Sequence, residues 1–191
     1  RWYLLAVSPP WVPTKFDEDG IRETASRFFG TLVNVYAFFT LYANIDEVDP
    51  DDMDIPVEQR PEIDRWVISR LNTMLDQISK DMAGYELSRV TRAIESFLVD
   101  EVSNWYVRRS RERFWSNEFD LDKKSAYRTL YEVLIALSKA MAPFAPFLAE
   151  DIYLNLTRGK AMESVHLEYY PTADKALIDP SLDERSGLVI T

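Results

Sequence analysis

Residues 104–115 read Asn-Trp-Tyr-Val-Arg-Arg-Ser-Arg-Glu-Arg-Phe-Trp and close a run of apolar residues at helical spacing that begins near Leu87. The run predicts one helix of roughly 29 residues, about 43 Å long at 1.5 Å per residue. Arginines and large aromatic rings share its last three turns. That combination suits a polyanion with flat bases, because arginine pairs with phosphate and aromatic rings stack on bases.

Other stretches with the apolar spacing of helices surround this one. They run from about 18 to 43, 64 to 83, 122 to 142, and from Pro146 to near Gly159. Asp64 and Asp122 are predicted N-caps, because an aspartate side chain accepts hydrogen bonds from the first turn. Residues 164–170 alternate like a short strand. We predict an all-α fold, an up-and-down bundle of four to five long helices with a short strand-like or irregular C-terminal extension.

The acidic charge of the chain is concentrated in one segment. The formal net charge is −10, which by itself disfavours nucleic acid. Residues 44–64 carry nine acidic residues against one arginine, whereas residues 104–128 carry seven basic residues against four acidic ones. A ligand meets the local field, so the basic segment remains a candidate for a polyanion. The acidic segment contains three prolines and no periodicity, which predicts a long surface loop.

The residue types that most catalytic sites need are scarce. The chain has no cysteine, and His166 is its one histidine, which leaves no material for Cys–His catalysis or a multi-histidine metal site. Its five glycines are dispersed, which excludes a phosphate-binding loop. We therefore predict no catalytic residue and no metal site. Because no apolar run reaches about 18 residues, we expect no membrane partner, and the lack of cysteine fits a cytoplasmic location.

A helical wheel at about 100° per residue divides the basic helix into two sides. Arg108, Arg111 and Trp115 lie together near its C-terminal end, where we expect them to contact a phosphate backbone. Trp105 and Arg109 continue the apolar stripe, so we expect both to be structural, with Arg109 paired to a carboxylate. Cations at a helix C-terminus also complement the helix dipole, but four arginines exceed that need.

Five parts of the chain resemble, in order, segments of class I isoleucyl-tRNA synthetases. The basic helix is similar to the signature helix of their anticodon-binding domain. The other similar segments are 1–11, which contains Arg-Trp-Tyr and Ser-Pro-Pro-Trp, then 64–72, 142–150 and 164–167. The match extends over nearly the whole chain as far as Arg185. The Arg-Trp-Tyr and Ser-Pro-Pro-Trp pieces favour isoleucine over the valine, leucine and methionine relatives.

The resemblance implies a bundle that binds the anticodon stem-loop of the isoleucine tRNA. It assigns 1–16 to the end of a connecting segment after the catalytic domain, 17–160 to the bundle and 161–191 to a C-terminal extension. The last six residues, 186–191, depart from the family pattern. The expected tRNA-binding residues are basic or aromatic: Arg108, Arg111, Arg113, Lys123, Lys124, Tyr106 and Trp115. Trp105 and Arg109 keep the structural role that the wheel gives them.

The resemblance also implies a larger enzyme that activates isoleucine with ATP and Mg²⁺ and esterifies the tRNA. Neither nucleotide-binding motif of the family, His-Ile-Gly-His or KMSKS, occurs in these residues. We therefore expect this chain alone to need no cofactor, to be inactive as a ligase and to be a monomer.

Two other interpretations remain open on the sequence. The chain could be a helical protein-interaction module that uses the acidic 44–64 loop, or the equivalent domain of a valyl-tRNA synthetase. The first leaves the cluster of arginines and aromatic rings unexplained. A complete small enzyme is a weaker alternative, because the catalytic groups are missing.

Overall fold

The computed structural model of the chain describes residues 1–49 and 52–185, and every regular element in these residues is helical. In chain order the α-helices are α1 Trp2–Val7, α2 Glu18–Thr24, α3 Thr31–Ile45, α4 Glu62–Ala83, α5 Leu87–Ser96, α6 Arg108–Trp115, α7 Leu121–Met141, α8 Pro146–Thr157 and α9 Ser181–Arg185. A π-helical segment, Ala25–Gly30, joins α2 to α3, and a second one, Phe97–Val107, joins α5 to α6. The predicted all-α bundle is confirmed.

The π-helical segment Phe97–Val107 sets which side of the basic helix is buried. From α5 to α6 every fourth residue is almost completely buried: Val90, Ile94, Leu98, Val102, Tyr106, Ser110 and Phe114. In a regular α-helix each step of four residues advances about 40° around the axis, so such a stripe would wander around the helix. A π turn contains more residues than an α turn, which reduces this advance and keeps the stripe facing the bundle.

Helix α4 begins at a proline rather than at the predicted aspartate cap. Pro61 is its N-cap and Glu62 its first residue. The Asp64 side chain lies in the first turn, where it is fully buried. The prediction that Asp64 caps this helix is therefore wrong, because its carboxylate bonds to side chains of another helix instead of its own N–H groups.

Helix α7 has an aspartate cap, but two residues earlier than predicted. The Asp120 Oδ1 atom accepts a hydrogen bond from the Lys123 backbone N–H at 2.9 Å, and the helix begins at Leu121. Asp122 is the second residue of the helix and pairs with Arg113. The cap assignment to Asp122 is therefore wrong, and the predicted helix itself is confirmed.

Apolar side chains from all the long helices form one core, and the N-terminal segment is part of it. Trp2 of α1 stacks on Phe28 with ring centroids 3.8 Å apart, and Phe144 meets Trp2 edge-on at 5.9 Å. Helix α7 carries the largest share of fully buried residues and packs against α8, α4, α6 and α3. The domain boundaries after residues 16 and 160 stay predictions.

The described parts of the acidic 44–64 segment are fastened to the bundle. Val48, Met53 and Ile55 are buried in the core. Arg60 is also buried, and its guanidinium donates to the Ile55 carbonyl at 2.8 and 2.9 Å and to Glu132 at 2.7 and 3.0 Å. The predicted surface loop therefore has an anchored inner side, and its outer side carries the exposed acids.

The C-terminal extension is irregular as far as the short helix α9 and packs on α4. The strand-like alternation of residues 164–170 contains one 3₁₀ turn, Val165–Leu167, so the irregular alternative is the one observed. Further along, the Asp174 N–H donates to the Asn72 side-chain oxygen and the Asp179 N–H donates to the Ser69 hydroxyl, both at 2.8 Å. The segment 186–191, which the sequence left without an assignment, lies outside the described residues.

The helical run Glu18–Ile45 is long enough to cross a membrane, and an 18-residue window within it has the mean hydropathy of a membrane-crossing helix, 1.3. Core helices of bundles meet the same criterion. Phe28, Leu32, Val35 and Phe39 of this run belong to the apolar core, and 28% of that window is buried within the bundle.

Candidate nucleic-acid interface

The last two turns of the basic helix divide sharply into a buried and an exposed side. Tyr106, Ser110 and Phe114 continue the buried stripe. Arg108 and Arg111 point away from it and are exposed. Neither makes an ion pair or a hydrogen bond with the described residues, so both guanidinium groups keep all their donors available. The structure thus leaves two of the predicted phosphate contacts as uncommitted cations.

Trp115 is the exposed ring of this end of the helix. It is the last residue of α6, and 55% of it is accessible to solvent. Its neighbour Phe114 is buried instead and packs edge-on against Phe38 and Tyr127, with centroids 5.0 and 4.9 Å away. The structure therefore brings Trp115 together with Arg108 and Arg111 on one accessible end, as the wheel predicts.

Arg109 does not occupy the place that the wheel assigns to it. Its side chain is exposed, its guanidinium carbon lies 3.4 Å from the Trp105 ring centroid, and no described carboxylate pairs with it. The wheel assumed about 100° per residue, whereas the π-helical segment advances less per residue, so burial falls on Tyr106 and Ser110. Among the described residues no carboxylate pairs with Arg109, unlike the prediction. Trp105, which was predicted to be structural together with Arg109, is half-buried.

Arg113 and Tyr106, both predicted to bind tRNA, are committed to the interior. Arg113 forms a two-pronged pair with Asp64, with Nη2–Oδ2 2.6 Å and Nη1–Oδ1 2.8 Å, and its Nε donates to Asp122 at 3.0 Å. The Tyr106 hydroxyl donates to Asp64 Oδ1 at 2.6 Å. The predicted tRNA contacts of Arg113 and Tyr106 are therefore corrected. Removing the partner of a buried charge costs several kcal/mol, so neither side chain is available to RNA in the folded chain.

The pKa values of Tyr106 and Arg113 are shifted by burial and by the charge of Asp64. Burial, and then the adjacent Asp64 charge, raises the pKa of the Tyr106 hydroxyl well above its usual value. Burial alone would lower the pKa of Arg113, but the hydrogen bonds and charge of Asp64 raise it above the ordinary arginine value. Both groups therefore keep their protons throughout the physiological range, Tyr106 neutral and Arg113 cationic, and the cluster acts as a fixed tie between α4, α6 and α7.

The sequence contains a pattern that indicates the buried role of Asp64, although Asp64 was predicted to be an N-cap. Asp64 precedes Val67 and Ile68 at helical spacing, so it belongs to the apolar stripe of α4. A carboxylate on a buried stripe requires a cationic partner, and Arg113 is that partner.

Lys123 is likewise a structural cation. It is buried, its Nζ donates to the Ser116 carbonyl at 2.7 Å, and it pairs with Asp46 at 2.6 Å. Tyr127 donates a hydrogen bond to the same Asp46 carboxylate. The predicted phosphate contact of Lys123 is corrected accordingly, because its charge is used to fix the turn between α6 and α7.

Lys124 lies at the edge of the candidate surface, half-buried, with its Nζ 5.3 Å from the Phe119 ring centroid. Phe119 is 43% exposed and was not predicted, because it falls in a polar break with no periodicity to point to it. Lys124 and Phe119 also border a cleft of about 530 Å³ with acidic walls. The acidic residues lining this cleft are Asp46, Glu47, Asp49, Asp52 and Asp54.

The arrangement presents cations and flat rings, the groups that suit a polyanion with exposed bases. Three exposed arginines lie along α6, and two accessible aromatic rings, Trp115 and Phe119, lie at its end and in the turn that follows. Within residues 1–49 and 52–185, no three His, Asp or Glu side chains are grouped so that they could hold a metal ion.

Comparison with known proteins identifies a family for the part of the chain that contains this surface. A family model described as the anticodon-binding domain of tRNA ligase matches residues 64–190. An isoleucine–tRNA ligase of Porphyromonas gingivalis is 48% identical over 184 residues, which is 96% of this chain and 16% of that protein. Isoleucine–tRNA ligase 2 of Bacillus thuringiensis subsp. konkukian is 46% identical over 191 residues, which is 100% of this chain and 18% of that protein. The chain thus spans about one sixth of the length of the curated relatives it matches.

Proposed function

Because the chain belongs to the family of anticodon-binding domains of tRNA ligases, we propose that it binds the anticodon stem-loop of a tRNA through Arg108, Arg111 and Trp115. The observation that carries this proposal is the pair of exposed arginines without acidic partners among the described residues, beside an exposed tryptophan, in a chain of net charge −10. Unpaired arginines neutralise phosphates, and an accessible ring stacks on an unpaired base. Lys124 and Phe119 extend this surface.

The tRNA in this proposal is the one that accepts isoleucine. Support comes from the isoleucine–tRNA ligases of Porphyromonas gingivalis and Cytophaga hutchinsonii, which are 48% and 44% identical and include nearly all of this chain in their alignments. Relatives of this kind favour isoleucine over the valine alternative.

The larger protein to which such a domain belongs is, in this proposal, a cytoplasmic, monomeric isoleucine–tRNA ligase that uses ATP and Mg²⁺. The contribution of the present chain is to hold the anticodon end of the tRNA. Its own residues take part in no bond-making step, and it needs no cofactor.

The alternative of a protein-interaction module that uses the acidic 44–64 loop has less support. Three of its acids are engaged within the chain: Asp46 pairs with Lys123, Asp49 with Lys160 and Asp64 with Arg113. That leaves fewer charges for a basic partner than the sequence suggests, and the exposed arginines remain unexplained.

The test is a filter-binding titration of isoleucine tRNA over a series of salt concentrations. The Arg108→Gln/Arg111→Gln double variant is expected to weaken binding and to reduce the slope of log affinity against log salt by about 1.4–1.8, since each phosphate contact contributes about 0.7–0.9. A tRNA with a changed anticodon should bind more weakly than isoleucine tRNA to the unaltered chain.

Arg89→Gln is the matched control. Arg89 is exposed and lies on the same continuous helix, about 30 Å from Arg108 at 1.5 Å per residue, so its loss should leave affinity and slope unchanged. Equal slopes for the double variant, the control and the unaltered chain would exclude Arg108 and Arg111 as phosphate contacts.

A further inference from the structure

Arg109 and Trp105 form a stacked pair on the outer side of the basic helix. We propose that Arg109, held flat against the Trp105 ring, is a third phosphate-binding group of the RNA-contacting end. This inference rests on the proposed tRNA-binding function and extends it to a residue that sequence reasoning made structural.

The geometry of the pair leaves the hydrogen-bond donors of Arg109 available. The guanidinium carbon lies 3.4 Å from the ring centroid, so the ring covers one face of the planar cation. The N–H groups point outward in the guanidinium plane, so a ring that covers one face leaves their donor directions open. The side chain is exposed, and no described carboxylate or carbonyl accepts from it.

The Trp105 ring that supports Arg109 is itself held in place. It lies beside Trp66, with ring centroids 6.1 Å apart, and the Trp66 Nε1 atom donates to Asp183 at 2.9 Å. A guanidinium fixed in plane by a packed ring loses less conformational freedom when it binds a phosphate than a free side chain does. The stacked pair is therefore a pre-oriented cation.

Other arginines of the chain illustrate what a purely structural arginine looks like. Arg113 donates to two aspartates, Arg60 to Glu132 and a carbonyl, and Arg92 to the carbonyls of Ala6 and Val7. In each case the chain supplies acceptors for the guanidinium. Arg109 has no acceptor among the described residues, and it differs from Arg89, which also has none there, because its guanidinium is held over a ring.

The ligand class follows from this chemistry. A planar cation with free paired donors matches a phosphate, which accepts two parallel hydrogen bonds. Arg108 and Arg111 also lack acidic partners in the described ranges. They lie on other sides of the helix, because steps of one and two residues turn an α-helix by about 100° and 200°, so in this proposal Arg109 binds a different phosphate from theirs.

Salt dependence of tRNA binding separates phosphate contact from helix stabilisation. The probe is isoleucine tRNA with the full 191-residue chain, and the variants are Arg109→Gln, Arg109→Lys and the control Arg89→Gln. Arg109→Gln is expected to weaken binding several-fold and to reduce the salt slope by about 0.7–0.9. Arg109→Lys keeps the charge and should keep most of the slope. It lacks the planar donors, so its affinity should fall between that of Arg109→Gln and that of the control Arg89→Gln.

Each outcome decides the matter. If Arg109→Gln keeps the slope of the unaltered chain while Arg108→Gln/Arg111→Gln loses slope, Arg109 is a structural residue and this inference is wrong although the proposed function stands. If the folded, unaltered chain binds isoleucine tRNA without salt dependence, the proposed function and this inference are both overturned. Circular dichroism melting of each variant identifies a loss of affinity that comes from unfolding, and such a loss with an unchanged slope counts against the inference.

Discussion

At the scale of single residues, the four arginines of α6 meet two kinds of surroundings. Arg113 lies over the buried Asp64 and shares it with Tyr106. Arg108 and Arg111 have solvent around them and no acidic partner in the described part of the chain. The same side-chain type thus stabilises the bundle at one position and remains available for a ligand at the others. What lies beneath the helix decides the role.

Asp64→Asn is expected to lower the free energy of unfolding by about 3–5 kcal/mol, because removing one member of a buried ion pair leaves the other charge uncompensated. Urea denaturation at neutral pH measures the change. Asp54→Asn is the control, since Asp54 is exposed and surface substitutions usually change stability by less than about 0.5 kcal/mol. A loss below about 1 kcal/mol for Asp64→Asn would mean that Asp122 alone is enough for Arg113.

At the scale of elements, the turn between α6 and α7 is fixed from both ends. Lys123 reaches back to the Ser116 carbonyl, and the Asp120 carboxylate caps the first turn of α7. This turn carries Phe119 and directly follows Trp115, the two accessible rings of the candidate surface. Its rigidity therefore controls where both rings are presented.

Asp120→Ala is expected to lower the free energy of unfolding by about 1 kcal/mol, within the range of about 0.5–2 kcal/mol for loss of an N-cap. Asp120→Asn should retain nearly full stability, because an asparagine oxygen accepts the same backbone hydrogen bond. Urea denaturation of the two variants provides the measurement. Equal losses for alanine and asparagine would indicate that the charge of Asp120, and not its capping bond, matters.

At the scale of the whole molecule, buried tyrosine hydroxyls link stability to alkaline pH. Burial raises the pKa of Tyr170 to about 12. Burial, and then a hydrogen bond to Glu168, raises the pKa of Tyr153 to about 12. The pKa values of Tyr106 and Tyr127 are also raised, again chiefly by burial. The folded chain binds these protons more tightly than the unfolded chain, so the stabilisation is complete below about pH 10 and declines as the pH rises towards 12.

Tyr153→Phe is expected to flatten this alkaline decline by about 1.4 kcal/mol per pH unit between about pH 10 and 12, the contribution of one proton. The measurement is urea denaturation at stepped pH, compared as slopes rather than as absolute stabilities, because the variant also loses the hydrogen bond to Glu168. Tyr169→Phe is the control, since Tyr169 is 91% exposed. Identical slopes for the two variants would rule out Tyr153 as a contributor.

Most of the fold could be predicted from the sequence, because the apolar spacing of its helices and the prolines at their ends indicate where each helix lies. The run 87–115 and the start of α8 at Pro146 are where the pattern puts them. The residues that cap the helices could not be predicted in the same way. Asp64 and Asp122 have the right residue type at a helix start, yet both face Arg113, and no local rule reveals that Asp64 has its partner 49 residues further along the chain.

The candidate site could be predicted only in part. Exposed positions of α6, such as Arg108 and Trp115, follow from the wheel. The buried roles of Tyr106, Arg113 and Lys123 depend on carboxylates from other elements, which a single helix cannot disclose. Arg109 was misplaced because the wheel takes a constant angle per residue, and the π-helical segment does not keep it.

The π-helical segment Phe97–Val107 has a consequence for how this part of the chain tolerates insertion and deletion. A π turn accommodates more residues per turn than an α turn, so deleting one residue there would let the helix return to regular α geometry without breaking it. The helix would survive, but a regular α-helix advances about 40° in each step of four residues, so the residues after the deletion would no longer keep the same side towards the neighbouring helices. The number of residues in this segment therefore matters to the proposed RNA contact, as the arginines themselves do.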